Sequence, residues 1–451
     1  MVQATATTED AYQLLHDGTL VLADIERNGI CIDTKVLQHN IDKVGRKIAH
    51  QEELLKEDPV WAEWRKRFGR DAKMTSRDQL AKILTTMHPD AWGEEDRTAT
   101  GKPRMDEETL SRIEIPFVQN FVKLQKLHKA RSTYLIGIQR ETVDGLLHPM
   151  FGLANAITYR SSSELPNFQN IPVRLPWVAE LVRSCFIPRP GNRLMEIDFK
   201  GLEVCVSPCY NKDPKLIAYV SDDKLDMHRD MAAEIFKCTI EQITKEARYA
   251  AKNGFVFPEF YGDYFVNCAK NIWGLIQKTN IKTASGTPMF EHLQQQGIRR
   301  LGACNKDTNP LPGTFEWHLK EVERAFWYDR FPVYTQWKKD WFNEYEARGF
   351  IEMYTGFIVR GFYTRNQIIN SPVQGSAFHC LLWCLIRLQR WLVRHKKRTL
   401  IVGQIHDSML LDYPPEEEEE LVQIVLRILT EQLPQAWQWI IVPLKVEIES
   451  V

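Results

Sequence analysis

The 451-residue chain exceeds what one hydrophobic core usually organises, so two or three subdomains are expected. Its 44% hydrophobic and 26% charged residues are those of an ordinary globular protein. The formal net charge of -1 gives no overall attraction to nucleic acid. Any such surface has to come from local basic clusters such as Arg65 to Arg67, Arg299-Arg300 and Arg394 to Arg398. The nine cysteines are scattered, and the pairs Cys205/Cys209 and Cys380/Cys384 lack the second Cys or His pair of a zinc site. They read as buried thiols of a reducing compartment. No N-terminal stretch resembles a signal peptide, and the most apolar segment, His379 to Val393, is broken by Arg387 and Arg390. A cytosolic-type protein without a membrane span is expected.

In chain order, residues 8–57 read as a helix, a turn at Asn28-Gly29, a short strand and a second helix. Residues 58–104 are tryptophan-rich and irregular except for a helix at Ser76 to Met87, which Ser76 and Gln79 open as a capping box. Residues 106–141 are expected to be helical, with heptad-like spacing of Ile115, Val118, Phe121, Val122 and Leu124. This first third makes an elongated helical arm. From Arg193 the period changes, and RLMEIDF (193–199) alternates as a half-buried strand does. Residues 224–350 return to helix. Two β runs, 399–405 and 408–413, then meet at His406-Asp407. Pro414-Pro415 and the acidic run Glu416 to Glu420 open a last helix, and VPLKVEIE closes as a strand. The pattern is α+β, with helical parts inserted into one sheet domain.

Asp198 ends a strand and Asp407 stands at a hairpin tip, positions that can converge across one sheet. Phosphoryl transfer by two metals needs hard oxygen ligands that bridge ions about 3.5–4 Å apart, which suits Asp carboxylates. One Asp at a strand end is more often an ordinary turn residue. The neighbouring residues decide.

TYRSSSELPNFQNIPVR (158–174) resembles the TGRLSS-x-x-PNLQNIP segment of the family A DNA polymerases, the group that includes bacterial DNA polymerase I. DFKGLEVCV (198–206) is similar to that family's first palm motif, and DMHRDMAAEIF (226–236) to its D-I-H-x-x-T-A segment. RYAAKNGFVFPEFYG (248–262) resembles its finger helix, NSPVQGSA (370–377) its NAPxQGTAAD, and QIHDSMLL (404–411) its second metal motif. The six stand in family order over residues 130–450. VLADIERNGICID (21–33), MTSRDQLAKIL (74–84) and RTATGKPRMDEETL (97–110) are similar to the start of the polymerase domain and the thumb.

The resemblance implies a right hand built on an antiparallel palm sheet. A segment 1–45 would pack on the palm, with a thumb at 46–140, palm at 141–225 and 366–451, and fingers at 226–365. It is that of a polymerase domain, in a phage-type member. Asp198, Asp407 and the Phe199 carbonyl would hold two Mg²⁺ ions, with Mn²⁺ as a substitute. Glu203 would be the steric gate against a ribose 2′-hydroxyl. His228, Arg248 and Lys252 would grip the triphosphate, and Lys252 would also act as general acid. Phe257 would pack on the incoming sugar and Tyr261 beside the templating base. Arg160, Asn167, Gln169, Asn370, Gln374 and His406 would contact primer–template DNA. The implied partners are primed DNA and dNTPs, with a separate exonuclease, helicase or processivity factor as further candidates. The implied place of work is the cytoplasm, at a nucleoid or in a phage-infected host.

Taken singly, each residue has a plainer reading. Arg248 and Lys252 could be a solvated helix face, Phe257 and Tyr261 a core stripe, His228 and His406 structural histidines, and Gln374 a helix-packing amide. Asp24-x-Glu26 superficially matches a proofreading motif, but no room for an exonuclease fold stands upstream. A polymerase without its own proofreading or 5′-nuclease domain is therefore expected. Several residues depart from the family pattern. The finger helix has one extra residue between Lys252 and Tyr261, which at about 100° per residue would swing Phe257 and Tyr261 off the Arg248/Lys252 face. A bulge or break between Asn253 and Pro258 is expected to absorb it. Ser408 replaces an acidic residue, and Cys205 and Asn366 replace arginines, with Arg360 or Arg365 as candidate substitutes. Two alternatives stay open: a single-subunit RNA polymerase, against which Glu203 argues, and a catalytically weak or inactive DNA-binding relic.

Overall fold

The alternation of Arg193–Phe199 becomes the central strand of a four-stranded antiparallel sheet. Ser408–Tyr413 and Val446–Ser450 flank it, and Leu400–Ile405 lies beyond Ser408–Tyr413. Met195, Ile197 and Phe199 enter a hydrophobic core, so the period of two leaves Glu196 and Asp198 on the opposite face. There Asp198 stands opposite Ser408 on one neighbour and Glu447 on the other. These features come from a computed structural model that describes residues 6–93, 96–98, 100–170, 176–304 and 308–450. Ala99 and the Ile171 to Arg174 end of the first motif lie outside the described residues.

The core behind the sheet is closed by the helix Arg365–Arg394, which opens on a Thr364/Gln367 capping box and packs against Thr8–Asn28 and Leu202–Asn211. Cys205, Cys209, Cys380 and Cys384 are buried here as free thiols. A second core joins Thr34–Lys56 and Pro116–Lys129 around Trp64, Phe117 and Phe121. A third gathers Met227–Phe236, Phe265–Lys278 and Phe315–Arg324 around Phe255, Phe326 and Phe331. The α+β reading holds. Among the described residues no helix is long and apolar enough to cross a membrane.

Four local expectations need correction. Residues 58–104 carry a second helix, Pro59–Phe68, capped by Asp58. The helix expected over 106–141 breaks into Glu107–Arg112 and Pro116–Lys129, because Ile115 before proline is extended at φ -100° and ψ 122°. Ser76 caps its helix, but Gln79 does not return the bond: its Oε1 accepts from Trp64 Nε1 at 2.7 Å and from the Lys73 N–H at 2.9 Å. The closing strand begins only at Val446.

Candidate active site

The hairpin carrying Asp407 turns on His406 and Asp407 alone. His406 has φ +52°, a conformation that the first residue of such a turn usually reserves for glycine. The buried Gln404 side chain braces it. Its Nε2 donates to the His406 carbonyl at 2.6 Å, and its Oε1 accepts from Ser161 Oγ and Gln169 Nε2, both at 2.7 Å. Gly403 lets the first motif lie this close, since a Cβ there would stand 2.7 Å from the Phe168 ring.

The two aspartates are neighbours across the strands, and the Phe199 N–H donates to the Asp407 carbonyl at 3.5 Å. Burial raises the Asp407 carboxyl to about 6; Arg160 pulls it down while Glu203 and Asp198 push it up. Its Oδ1 is buried without a hydrogen-bond partner. Asp198 stays exposed at the strand end, yet partial desolvation, then Glu196 and Glu447, raise it to about 6 as well. An orphaned carboxylate oxygen beside a second destabilised carboxylate fits a divalent cation, which would relieve both. Among the described residues no group of three or more His, Cys, Asp or Glu side chains is arranged to hold a metal. Ser408 Oγ lies 2.9 Å from Glu196 Oε1, so a carboxylate stands next to the position that lost its acid.

Beside Asp407 opens a cavity of about 330 Å³ lined by eight of the expected residues: Arg160, Glu203, Phe257, Tyr261, Asn370, Gln374, His406 and Asp407. Glu203 is held between Arg160 Nη1 at 2.7 Å and the Tyr261 hydroxyl at 2.6 Å. The extra finger residue is absorbed by a π turn over Lys252–Val256, in which the Phe257 N–H donates to the Lys252 carbonyl. Gly254 makes the bulge possible, since a Cβ would stand 2.5 Å from Ile272. Phe257 is thereby returned to the Lys252 side, its ring 5.0 Å from Lys252 Nζ and 5.7 Å from the His228 ring. Burial first, then Arg248 and Lys252, lowers His228 to about 4, and its buried Nδ1 has no partner. Burial and Arg248 also lower Lys252.

The family model for DNA polymerase family A matches residues 46–289 and 348–451. The chain belongs to DNA polymerase family A. It is 26% identical to DNA polymerase I of Lactococcus lactis subsp. cremoris over 96% of this chain and 45% of that protein. It is also 26% identical to the thermostable DNA polymerase I of Thermus aquaticus, over 95% of this chain and 46% of that one. The chain thus spans less than half the length of these relatives. Its fold matches the POL domain of Pol1 from M. smegmatis, solved in complex with DNA primer-template and dNTP, with a TM-score of 0.72. That match covers 96% of this chain and 69% of the other at 20% identity.

Within this family A frame, not every expected residue reaches the cavity. Arg248 is held by Asp226 at 2.6 Å, Gln169 belongs to the Gln404 brace, and Asn167 lines a separate hollow with Lys129 and Tyr134. Arg360 and Arg365 lie against Phe350 and Phe342 and do not line the cavity, while Asn366 Nδ2 donates to the Gly262 carbonyl at 3.1 Å. Asp24 and Glu26 are structural: Gln389 bonds Asp24, and Glu26 takes the Phe151 N–H. Sequence reasoning missed Gln404, Asp226 and Glu447. The first two stand inside quoted motifs as polar residues without an assigned task; nothing local marks Glu447.

Proposed function

We propose that this chain is a template-directed DNA polymerase that adds dNTPs to a primer 3′-hydroxyl, with Asp198, Asp407 and the Phe199 carbonyl holding two Mg²⁺ ions, or Mn²⁺ in their place. The observation that carries the reading is that Asp407 belongs both to the aspartate pair and to the cavity, with a buried oxygen unpartnered. The ions, when bound, supply a lowered pKa for the 3′-hydroxyl and neutralisation of charge at the reacting phosphate. The chain's own groups do the rest. His228, Arg248 and Lys252 bind the triphosphate. Lys252, made a readier acid by burial and Arg248, gives a proton to the leaving pyrophosphate. Phe257 packs on the sugar and Tyr261 beside the templating base.

Glu203, braced on both sides, crowds a 2′-hydroxyl and so favours dNTPs over NTPs. Arg160, Asn370, Gln374 and His406 serve the primer end and the minor-groove edges of new pairs, whose acceptors recur in every correct pair. Asn167 and Gln169 serve the DNA from the neighbouring segment. Residues 46–140 act as thumb, 141–225 and 366–451 as palm, and 226–365 as fingers, working on DNA in the cytoplasm. Primer extension on primed DNA with Mg²⁺ tests this, comparing wild type with Asp407→Ala and dNTPs with NTPs. Extension by wild type with dNTPs alone is expected. Equal NTP use would favour the RNA polymerase, and DNA binding without extension would favour the relic.

A further inference from the structure

The finger helix ends on a second pair of carboxyls that the reaction above does not use. Glu259 lies in the turn Phe257–Phe260, on its inner side, and is 2% exposed. Its Oε2 accepts from the Trp327 indole N–H at 2.8 Å, and its Oε1 accepts from the Cys268 thiol at 3.6 Å. Glu323, from Phe315–Arg324, takes the Phe265 N–H at 2.7 Å, and its charge acts on the Glu259 carboxyl. Two like charges so poorly solvated repel each other unless one carboxyl holds a proton. The charged and titratable groups acting on the pair are Lys320, Lys338 and Cys268, with Arg365 acting on Lys338 and Asp263 on Cys268. Lys338 Nζ stands 3.0 Å over the Trp327 ring, and its charge lowers Glu323. Burial, then Glu323, pushes Glu259 up to about 9, and burial brings Lys338 down to about 7.

The outer side of the same turn is tied down separately. Asn370 Nδ2 donates to the Tyr261 carbonyl at 3.2 Å, Asn366 Nδ2 to Gly262, and the Tyr261 hydroxyl to Glu203. Glu259 is the clamp on the inner side.

We propose that Glu259 is a positioning residue for nucleotide binding: sharing one proton with Glu323, it fixes the turn that presents Phe257 and Tyr261 to the incoming dNTP. The assignment rests on the polymerase reading. Loss of the proton leaves two like charges in a poorly solvated pocket, and the turn loosens. Because the folded state holds the proton more tightly than the unfolded chain, the clamp is intact at low and neutral pH and is lost as pH rises through about 9.

Glu259→Gln keeps an acceptor for Trp327 and offers an N–H toward Glu323 but cannot titrate, whereas Glu259→Ala removes the bonds to Trp327 and Cys268. We would measure KM for dNTP and kcat across that alkaline range, and backbone hydrogen exchange over residues 257–263. The alanine variant is expected to raise KM about tenfold at neutral pH with little change in kcat, as loss of a buried hydrogen-bonded group implies. It should also lose exchange protection. The glutamine variant should keep the wild-type KM and abolish its alkaline rise. The same alkaline rise in wild type and Glu259→Gln would overturn the proposal, as would unchanged KM and exchange in Glu259→Ala. Should wild type extend no primer, the polymerase reading falls, and hydrogen exchange still decides the clamp. Should the alanine variant not fold, the glutamine comparison decides it.

Discussion

Asp198 and Asp407 meet at the open end of the central sheet, beside a cavity, whereas Glu259 and Glu323 meet behind the finger helix under Trp327. In both places two carboxyls crowd each other, and burial is the leading cause of the raised affinity for a proton. What differs is access. In the palm pair, Asp407 lines a hollow and keeps one oxygen unpartnered. The finger pair is walled by Trp327, Cys268 and Lys338, and its oxygens are already engaged by N–H and S–H donors. On the proposed readings, the same repulsion is relieved by a cation where ligands can enter and by a proton where they cannot.

Replacement of the palm pair should have the largest effect. Asp198→Ala or Asp407→Ala is expected to slow single-turnover nucleotide addition about a thousandfold or more, the scale of several kcal/mol in a metal-assisted transition state. Glu259→Gln should stay within about twofold at neutral pH, since it preserves the acceptor for Trp327 and removes only a charge that Glu259 carries at higher pH. Next comes the bulge that joins the two regions. In Gly254→Val the new side chain meets Ile272, and unfolding titrations should register a loss of about 2 kcal/mol from overpacking. Dideoxy- versus deoxynucleotide kinetics would then report whether Phe257 has moved.

His228 supplies a pH test of opposite sign to that of Glu259. Its folded pKa lies near 4, below the ordinary 6.5, because burial and then Arg248 and Lys252 disfavour the charged ring. Its contribution to stability is therefore complete above 6.5 and is lost as pH falls toward 4. The loss is on the order of 3 kcal/mol, and thermal unfolding of wild type against His228→Asn should show it as a slope that the variant lacks. A smaller effect belongs to Tyr261→Phe, which removes only the bond to Glu203 and should raise KM for dNTP about fivefold.

Much of the palm was legible in the sequence because its information is local. Alternation in RLMEIDF put Asp198 on the polar face, and two β runs separated by His406-Asp407 could only be a hairpin. Counting residues from Lys252 to Tyr261 exposed the need for a bulge, since helical phase is arithmetic. The break before Pro116 was equally local, but the apolar spacing across it outweighed the proline in the reading. What stayed hidden depends on pairing between distant segments. Glu447 reaches Asp198 only through strand order, Asp226 reaches Arg248 only through helix packing, and Glu323 and Lys338 come to Glu259 from other helices. No periodicity in any one segment encodes these meetings.

The central contrast, cation in the palm and proton in the fingers, is tested most directly by counting bound metal. Electron paramagnetic resonance of Mn²⁺ would be titrated into the chain with a dideoxy-terminated primer–template and dNTP. Two tightly held ions are expected in wild type and in Glu259→Gln, with loss of tight binding in Asp407→Ala. Equal occupancy in wild type and Asp407→Ala, or its loss in Glu259→Gln, would contradict the account.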